Sequence, residues 1–332
     1  MPGRGMCERN LMTLPVNQIV CGDCLEVLKD WPDNCVDLVF CSPPYEDART
    51  YGIDFKLKGQ DWVDWALRYY VECVRISRGL VAWVIEGKTR NFQWSATPAL
   101  LMADLHRAGV KLRKPPAFHR IGIPGSGGPD WIRNDYEFIV CSSKGKLPWS
   151  DNTAMGHPPK WAPGGEMSHR LGDGSRVNQW GTHENNTAGP RNPDGSRGSY
   201  SGKPSHKTTT KRKLRDGGLR RANGERRKHG YTNATIANPG NVIRCNVGGG
   251  QMGSSLAHEN EAPFPEQLAE FFVKSFCPVG GIVVDIFSGS GTTCAVAKKW
   301  GRNFVGIDIR EGQCELSRKR IKEESGKLGL FE

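Results

Sequence analysis

The residues Ser42-Pro43-Pro44-Tyr45 follow directly on a continuous apolar run, Val36 to Cys41, and place a hydroxyl, a proline carbonyl and an aromatic ring at its end. A run without polar alternation reads as a parallel strand buried on both faces, and such strands deliver their last residues to the carboxyl edge of the sheet, where α/β folds hold ligands. Pro43 and Pro44 fix φ and keep their predecessors extended, so the chain leaves the sheet stiffly and the Pro43 carbonyl is kept out of helix and ladder bonding. Hydroxyl and carbonyl are two acceptors, which suits the two N–H hydrogens of an exocyclic amine on a nucleobase, and Tyr45 offers a ring for the base to stack on. Such an amine is a poor nucleophile because its lone pair is delocalised into the ring. Two acceptors that polarise its hydrogens push it towards tetrahedral geometry and free the lone pair for attack. Taken alone, the Pro-Pro pair also reads as a strand terminator or a polyproline segment.

A second chemical stretch is "VVDIFSGSGTT", in which Asp285 and Phe287 precede Ser288, Gly289, Ser290, Gly291 and Thr292. Glycines between a buried strand and a helix let a ligand approach the backbone and the helix N-terminus. The spacing is not GxxxxGK[ST], and Cys294 stands where a dinucleotide fingerprint has its third glycine, which argues against an ATP cradle and weakens an NAD site. Asp308 ends the next strand pattern, "FVGIDI", 17 residues after Gly291, where a carboxylate can accept both hydroxyls of a ribose. Loop and acid together imply an adenosine.

The elements that position these groups alternate in βαβ fashion. "QIVCGD" reads as a strand, "CLEVLKDW" as a helix, "CVDLVFC" as a strand, residues 61–77 as a longer helix, and "RGLVAWVIEG" as another buried strand. "ALLMADLHRAG" reads as a helix before "KLRKPPAFHRIG" and "DYEFIVCSSKG", which are expected to be the final strands of the sheet. After residue 235 come a helix within "ENEAPFPEQLAEFFVKSFC", the Gly-rich strand–loop–helix–strand unit, and a polar helix "EGQCELSRKRIKEES". The expected domains are therefore a catalytic half, 18–150, and a cofactor-binding half, 236–325, of one α/β domain, separated by an insertion, 151–235.

That insertion differs in composition. Only ten of its 85 residues are Val, Ile, Leu, Met, Phe, Trp, Tyr or Cys, too few to bury a core. Its sixteen Lys and Arg against seven Asp and Glu give +9 of the net +11 of the 332-residue chain. A basic balance of that kind concerns phosphates or an acidic surface. The cluster Lys211, Arg212, Lys213, Arg215, Arg220, Arg221, Arg226, Arg227 and Lys228 supplies the candidates for phosphate contact, although such a run also reads as a solvated linker. Eleven scattered cysteines and an N-terminus without an apolar signal core read as reduced thiols of a cytoplasmic protein. Cys21 and Cys24 have C-x-x-C spacing but no second pair, so no metal is expected, and no apolar run is long enough to cross a bilayer.

"SPPY" at 42–45, the basic region and "DIFSGSGTT" at 285–293, in this order, resemble the S-adenosylmethionine-dependent amino-methyltransferases of DNA, β class. The resemblance covers about residues 18–150 and 236–320. It implies a Rossmann-like seven-stranded sheet with permuted motif order, S-adenosylmethionine as cofactor, duplex DNA as partner, and 151–235 as target-recognition region. A homodimer and a cognate restriction endonuclease, in a bacterial or phage-infected cell, are further partners that it allows. By resemblance, Phe287 and Ser288 to Gly291 form the cofactor loop with Asp285 before it, and Asp308 is the ribose acid. Asp23 in "GDCLEVL" would meet the adenine amine, and "HENEAPFP" at 258–265 would start the helix near the methionine end. Ser42, where adenine-N6 members more often carry Asp, is similar to the cytosine-N4 members. Cytosine-C5 chemistry needs a Pro-Cys nucleophile, whereas Cys41 lies before Ser42 on the strand and reads as a core thiol. The alternatives are an adenine-N6 enzyme of the same fold, a methyltransferase of RNA, and a non-catalytic nucleic-acid-binding protein.

Overall fold

The computed structural model describes residues 14–47, 55–122, 130–158, 236–247, 252–260 and 262–328. The chain divides into two compact units, one of residues 1–155 with 239–332 and one of residues 156–238. In the second unit the described backbone pairs His157 with Ala237 in an antiparallel bridge, with N–O distances of 3.1 and 3.0 Å. The Lys and Arg cluster from 211 to 228 lies outside the described residues.

The first unit is built on one eight-stranded sheet. Its strands are β1 (Gln18–Cys21), β2 (Val36–Cys41), β3 (Ser77–Ile85), β6 (Ala117–Ile121), β7 (Tyr136–Ser142), β8 (Val242–Asn246), β9 (Ile282–Asp285) and β10 (Asn303–Asp308), while β4 (Thr89–Arg90) and β5 (Gln93–Trp94) form a separate hairpin. The order across the sheet is β1-β10-β9-β2-β3-β7-β6-β8. The first five are mutually parallel, and β7 runs antiparallel to both β3 and β6. The sheet has one strand more than the expected seven. Residues 242–246 pair in parallel with β6, so "KLRKPPAFHRIG" and "DYEFIVCSSKG" are not the last strands. β8 alternates exposed and buried residues over only five positions, a pattern too short to stand out between its flanking glycines.

Helices cover both faces. On one side lie α1 (Cys24–Leu28), α2 (Gly59–Ile76) and α3 (Thr97–Arg107), and on the other α4 (Glu266–Phe276), α5 (Thr292–Lys299) and α6 (Glu311–Leu328). β2 is buried at all six positions, with Val39 and Cys41 in one core and Leu38 and Phe40 in the other, which is why its sequence does not alternate. α1 stops at Leu28 rather than Trp31, the chain turning so that the Trp31 N–H donates to the Leu28 carbonyl at 2.9 Å, one residue before Pro32. α2 starts at Gly59, two residues earlier than the pattern predicts, since the Glu46 carboxylate accepts the Gly59 N–H at 2.9 Å. No helix among the described residues is long and apolar enough to cross a membrane, and the ten described cysteines are free.

Candidate active site

The carboxyl ends of all five parallel strands open into one cavity of about 750 Å³. It is lined by Gly22 and Asp23 after β1, Ser42 to Glu46 after β2, Glu86 to Thr89 after β3, Ile286 to Gly289 after β9, and Asp308 to Arg310 at the end of β10. That volume falls within the ~300–1,000 Å³ usual for cofactor-sized ligands.

At the Gly-rich end, Gly289 and Gly291 adopt φ of +50° and +77°, a region that side chains with a Cβ seldom adopt. Space demands glycine as well: a Cβ on Gly291 would lie 2.9 Å from Ser317 Oγ, and one on Gly289 would lie 2.8 Å from Asn260 Nδ2. Asp308 Oδ2 accepts the Gly289 N–H at 2.9 Å, and its Oδ1 accepts the Arg310 N–H at 3.0 Å. The loop is also held from behind. Ser317 Oγ donates to the Gly289 carbonyl at 2.7 Å, and the guanidinium of Arg320, 2% exposed, donates to Thr292 Oγ1 at 2.8 Å and to Ser290 Oγ at 3.3 Å.

Asp285 is fully buried, accepts the Phe287 N–H at 3.1 Å, and does not line the cavity. Burial, with the nearby Asp308 charge as a smaller cause, raises its carboxyl to about 7. A folded-state pKa above the unfolded ~3.9 means that the native chain holds the proton through that window, so this group makes stability fall as pH rises from about 4 to about 7. Asp285→Asn keeps an acceptor without the charge. We expect its unfolding free energy to match wild type at pH 4 and to exceed it by on the order of 4 kcal/mol at pH 8, read from urea unfolding at both pH values. A difference that is the same at both would show that Asp285 is ionised throughout.

Aromatic rings form one wall. Trp65 packs on Phe55, Tyr69 and Phe287 at centroid distances of 5.0, 4.7 and 5.7 Å, and all four line the cavity. Beside them Asp23 caps α1 through Leu25 N at 2.8 Å and accepts the Tyr69 hydroxyl at 3.2 Å. Burial first and the Asp23 charge next push Tyr69 up to about 12, which keeps it a donor.

The proline motif lines the same cavity. Ser42 Oγ donates to the Val84 carbonyl at 3.0 Å, with Tyr45 Oη 3.4 Å away. Tyr45 Oη donates to Glu137 Oε2 at 2.7 Å, and Glu137 Oε1 pairs with Arg120 Nη1 at 3.0 Å. Trp62 Nε1 donates to the Pro44 carbonyl at 2.9 Å, whereas no donor among the described residues meets the carbonyl of Pro43. Glu46 closes the turn by accepting from the N–H groups of Gly59 and Lys88 and from Ser95 and Thr97 Oγ1. Burial alone would raise the Glu46 carboxyl, but those hydrogen bonds outweigh it and hold it below the usual range. Burial raises Glu86, which also lines the cavity. Cys41 is fully buried and burial lifts its thiol well above the ordinary range, as a core residue requires.

Of the site residues expected from sequence, Ser42, Pro43, Pro44, Tyr45, Asp23, Phe287, Ser288, Gly289, Thr292 and Asp308 meet in this cavity. Asp285, Ser290 and Gly291 do not line it. His258 is exposed and off the cavity, while Asn260 and Ala262 to Pro265 line it. Glu86, Arg120, Glu137, Trp65, Tyr69 and Arg320 were not expected. Cys21 Sγ lies within 4.8 Å of Cys314 Sγ and the Glu311 carboxylate, both sulfurs donate to backbone carbonyls, and burial raises Cys314 to about 12.

An adenosine with a charged tail fits what is built here. Ser288 Oγ, in a residue 5% exposed and lining the cavity, has no hydrogen-bond partner among the described residues. The glycine loop leaves space that Cβ atoms would fill, and the two carboxylates, Asp23 and Asp308, can accept N–H and O–H donors.

The comparisons agree with this chemistry. An orphan methyltransferase, M.BamHII of Bacillus amyloliquefaciens, is 26% identical over 298 residues, 87% of this chain and 90% of that protein. The PvuII DNA methyltransferase, described as cytosine-N4-specific, superposes with a TM-score of 0.57 at 17% identity, covering 91% of this chain and 85% of that one. A putative DNA modification methylase from Thermus thermophilus, solved with S-adenosyl-L-methionine, gives 0.50 at 21% identity, covering 93% and 94%. The family model described as DNA methylase, of the N6/N4 methyltransferases, matches residues 36–319. The chain therefore belongs to the N6/N4 DNA methylase family, S-adenosylmethionine-dependent methyltransferases of DNA built on a Rossmann-like sheet.

Proposed function

We propose that this methyltransferase is a β-class enzyme that acts on the N4 amine of a cytosine flipped out of duplex DNA. One observation carries the reading. The hydroxyl hydrogen of Ser42 is committed to the Val84 carbonyl, so the Oγ lone pairs are left to accept, next to the carbonyl of Pro43, which no donor among the described residues meets. Two acceptors at the end of β2 match the two hydrogens of an exocyclic amine and localise its lone pair. Tyr45, fixed through Glu137 and Arg120, offers its ring to the base.

S-adenosylmethionine, when bound, supplies a methyl group on a sulfonium as the electrophile. Asp308 and the backbone of Ser288 and Gly289 would hold its ribose and tail, Asp23 its adenine amine, and the wall of Trp65, Tyr69 and Phe287 its ring. The motif order, proline motif before the basic insertion and cofactor loop after it, supports the β class. The cytosine-N4 specificity in the PvuII enzyme's name agrees with this reading without carrying it. We place 18–150 and 236–325 as the two halves of the catalytic domain and 151–235 as the region that contacts DNA. Its Lys and Arg cluster would make phosphate contacts, which give affinity and salt dependence without sequence information.

The test is mass spectrometry of nucleosides from duplex DNA of broad sequence content incubated with the protein and S-adenosylmethionine. N4-methylcytosine is the expected product. N6-methyladenine as the sole product would move the same geometry to the adenine branch of the family.

A further inference from the structure

The hairpin β4–β5 turns through Asn91 and Phe92, both at positive φ, 48° and 65°. A two-residue turn of this kind belongs to type I′, which favours Asn-Gly, and an aromatic residue in the left-handed region is rare. Phe92 is also 78% exposed, so packing within the chain does not offset the conformation it is held in. Local stability would be better served by glycine. Something outside the chain has to account for a phenyl ring there.

Its position indicates what. The hairpin follows directly on Glu86 to Thr89, which line the cavity, so its tip lies two residues, roughly 7 Å of strand, from that lining. The base of the hairpin is tied down. Ser95 N donates to Lys88 O at 2.9 Å, Arg90 Nη1 pairs with Asp47 at 2.8 Å, Trp94 Nε1 donates to Glu86 Oε1 at 2.9 Å, and the Trp94 ring stacks on Phe138 at 5.8 Å. Trp131 and Ile132, 76% and 78% exposed, precede the cavity residue Asn134 by three and two positions, so apolar side chains stand out from two segments of the cavity's lining.

We propose that Phe92 is a wedge that enters the base stack of duplex DNA and occupies the place left by the flipped base. The inference rests on the base-flipping reading above. A base drawn into the cavity leaves a gap in the stack, and apolar side chains inserted between base steps fill such gaps. A rigid hairpin beside the cavity can present a ring there. Phe92 is thus a positioning residue for the substrate and touches no reacting atom.

Phe92→Gly separates this role from a structural one, because glycine after Asn91 is the preferred turn and should leave the unfolding midpoint equal or higher. The methylated site is first located by sequencing wild-type-treated genomic DNA. Rates are then measured on two oligonucleotide duplexes, one with the target base paired and one with the target base opposite an abasic residue, where extrusion breaks no pair. We expect Phe92→Gly and Phe92→Ala to lower kcat/KM on the paired duplex by ~10-fold or more, and on the abasic duplex by no more than about threefold, with S-adenosylmethionine affinity unchanged. Equal rates of variant and wild type on the paired duplex would overturn the wedge, and so would the same defect on both duplexes, which would mark Phe92 as an ordinary docking contact. Wild-type protein that methylates no DNA base would instead bring down the base-flipping reading, and the wedge with it.

Discussion

Protein carrying Ser42→Ala binds S-adenosylmethionine within about twofold of wild type and methylates DNA ~10²–10³-fold more slowly in a single turnover. The separation of affinity from rate follows from the geometry. Ser42 is held by Val84 and neighbours Tyr45, whereas the Gly289 loop is held separately by Asp308. What alanine removes is an acceptor whose value is greatest as the amine becomes tetrahedral, which is a loss in the transition state rather than in either ground state. Ser42→Thr keeps the hydroxyl and should recover most of the rate. Calorimetry with the cofactor and rapid-quench kinetics at saturating cofactor decide the matter. A Ser42→Ala protein with wild-type rate, or one whose whole defect lies in cofactor affinity, would remove Ser42 from the chemistry.

The groups that are legible in sequence are those whose neighbours are close along the chain. Ser42 to Tyr45 announce themselves because a strand buried on both faces ends in two prolines, and Gly289 and Gly291 because glycines follow a strand directly and a carboxylate closes the next one. The supporting groups arrive from far away. Glu137, which fixes Tyr45, comes 92 residues later on the antiparallel strand β7, and nothing local in "DYEFIVC" distinguishes it from a solvated acid. Asp285 shows the converse: its place beside the loop suggests a ligand contact, whereas it is buried on β9 and does not line the cavity. The hairpin β4–β5 escaped because two residues per strand carry no period, and Asn91-Phe92 is not a turn pair that composition flags.

The C-terminal helix hides the group with the second large effect. Its sequence, rich in Glu, Lys and Arg, reads as a solvated helix, yet α6 turns Ser317 and Arg320 into the protein beneath the cofactor loop. The Arg320 guanidinium is surrounded by acceptors: Glu266 Oε1 at 2.8 Å, the Met252 carbonyl at 3.0 Å, and the Thr292 and Ser290 hydroxyls. Arg320→Met leaves Lys299, at 4.0 Å, as the one cation paired with the Glu266 carboxylate among the described residues, and breaking a largely buried pair from one side costs about 3 kcal/mol or more. We therefore expect the urea unfolding free energy to drop by ~3 kcal/mol and S-adenosylmethionine to bind ~10-fold more weakly or worse, because Ser290 and Thr292 lose the donor that sets the loop. The double variant Arg320→Met with Glu266→Leu tells the two effects apart. Removing both charges together should restore most of the stability, since an apolar pair can replace a buried ion pair, while the loop hydroxyls stay without their donor and the affinity stays low. If the double variant recovered affinity along with stability, Arg320 would matter only to the fold, and the orientation of the Ser288–Thr292 loop would have to be ascribed to Asp308 and Ser317 alone.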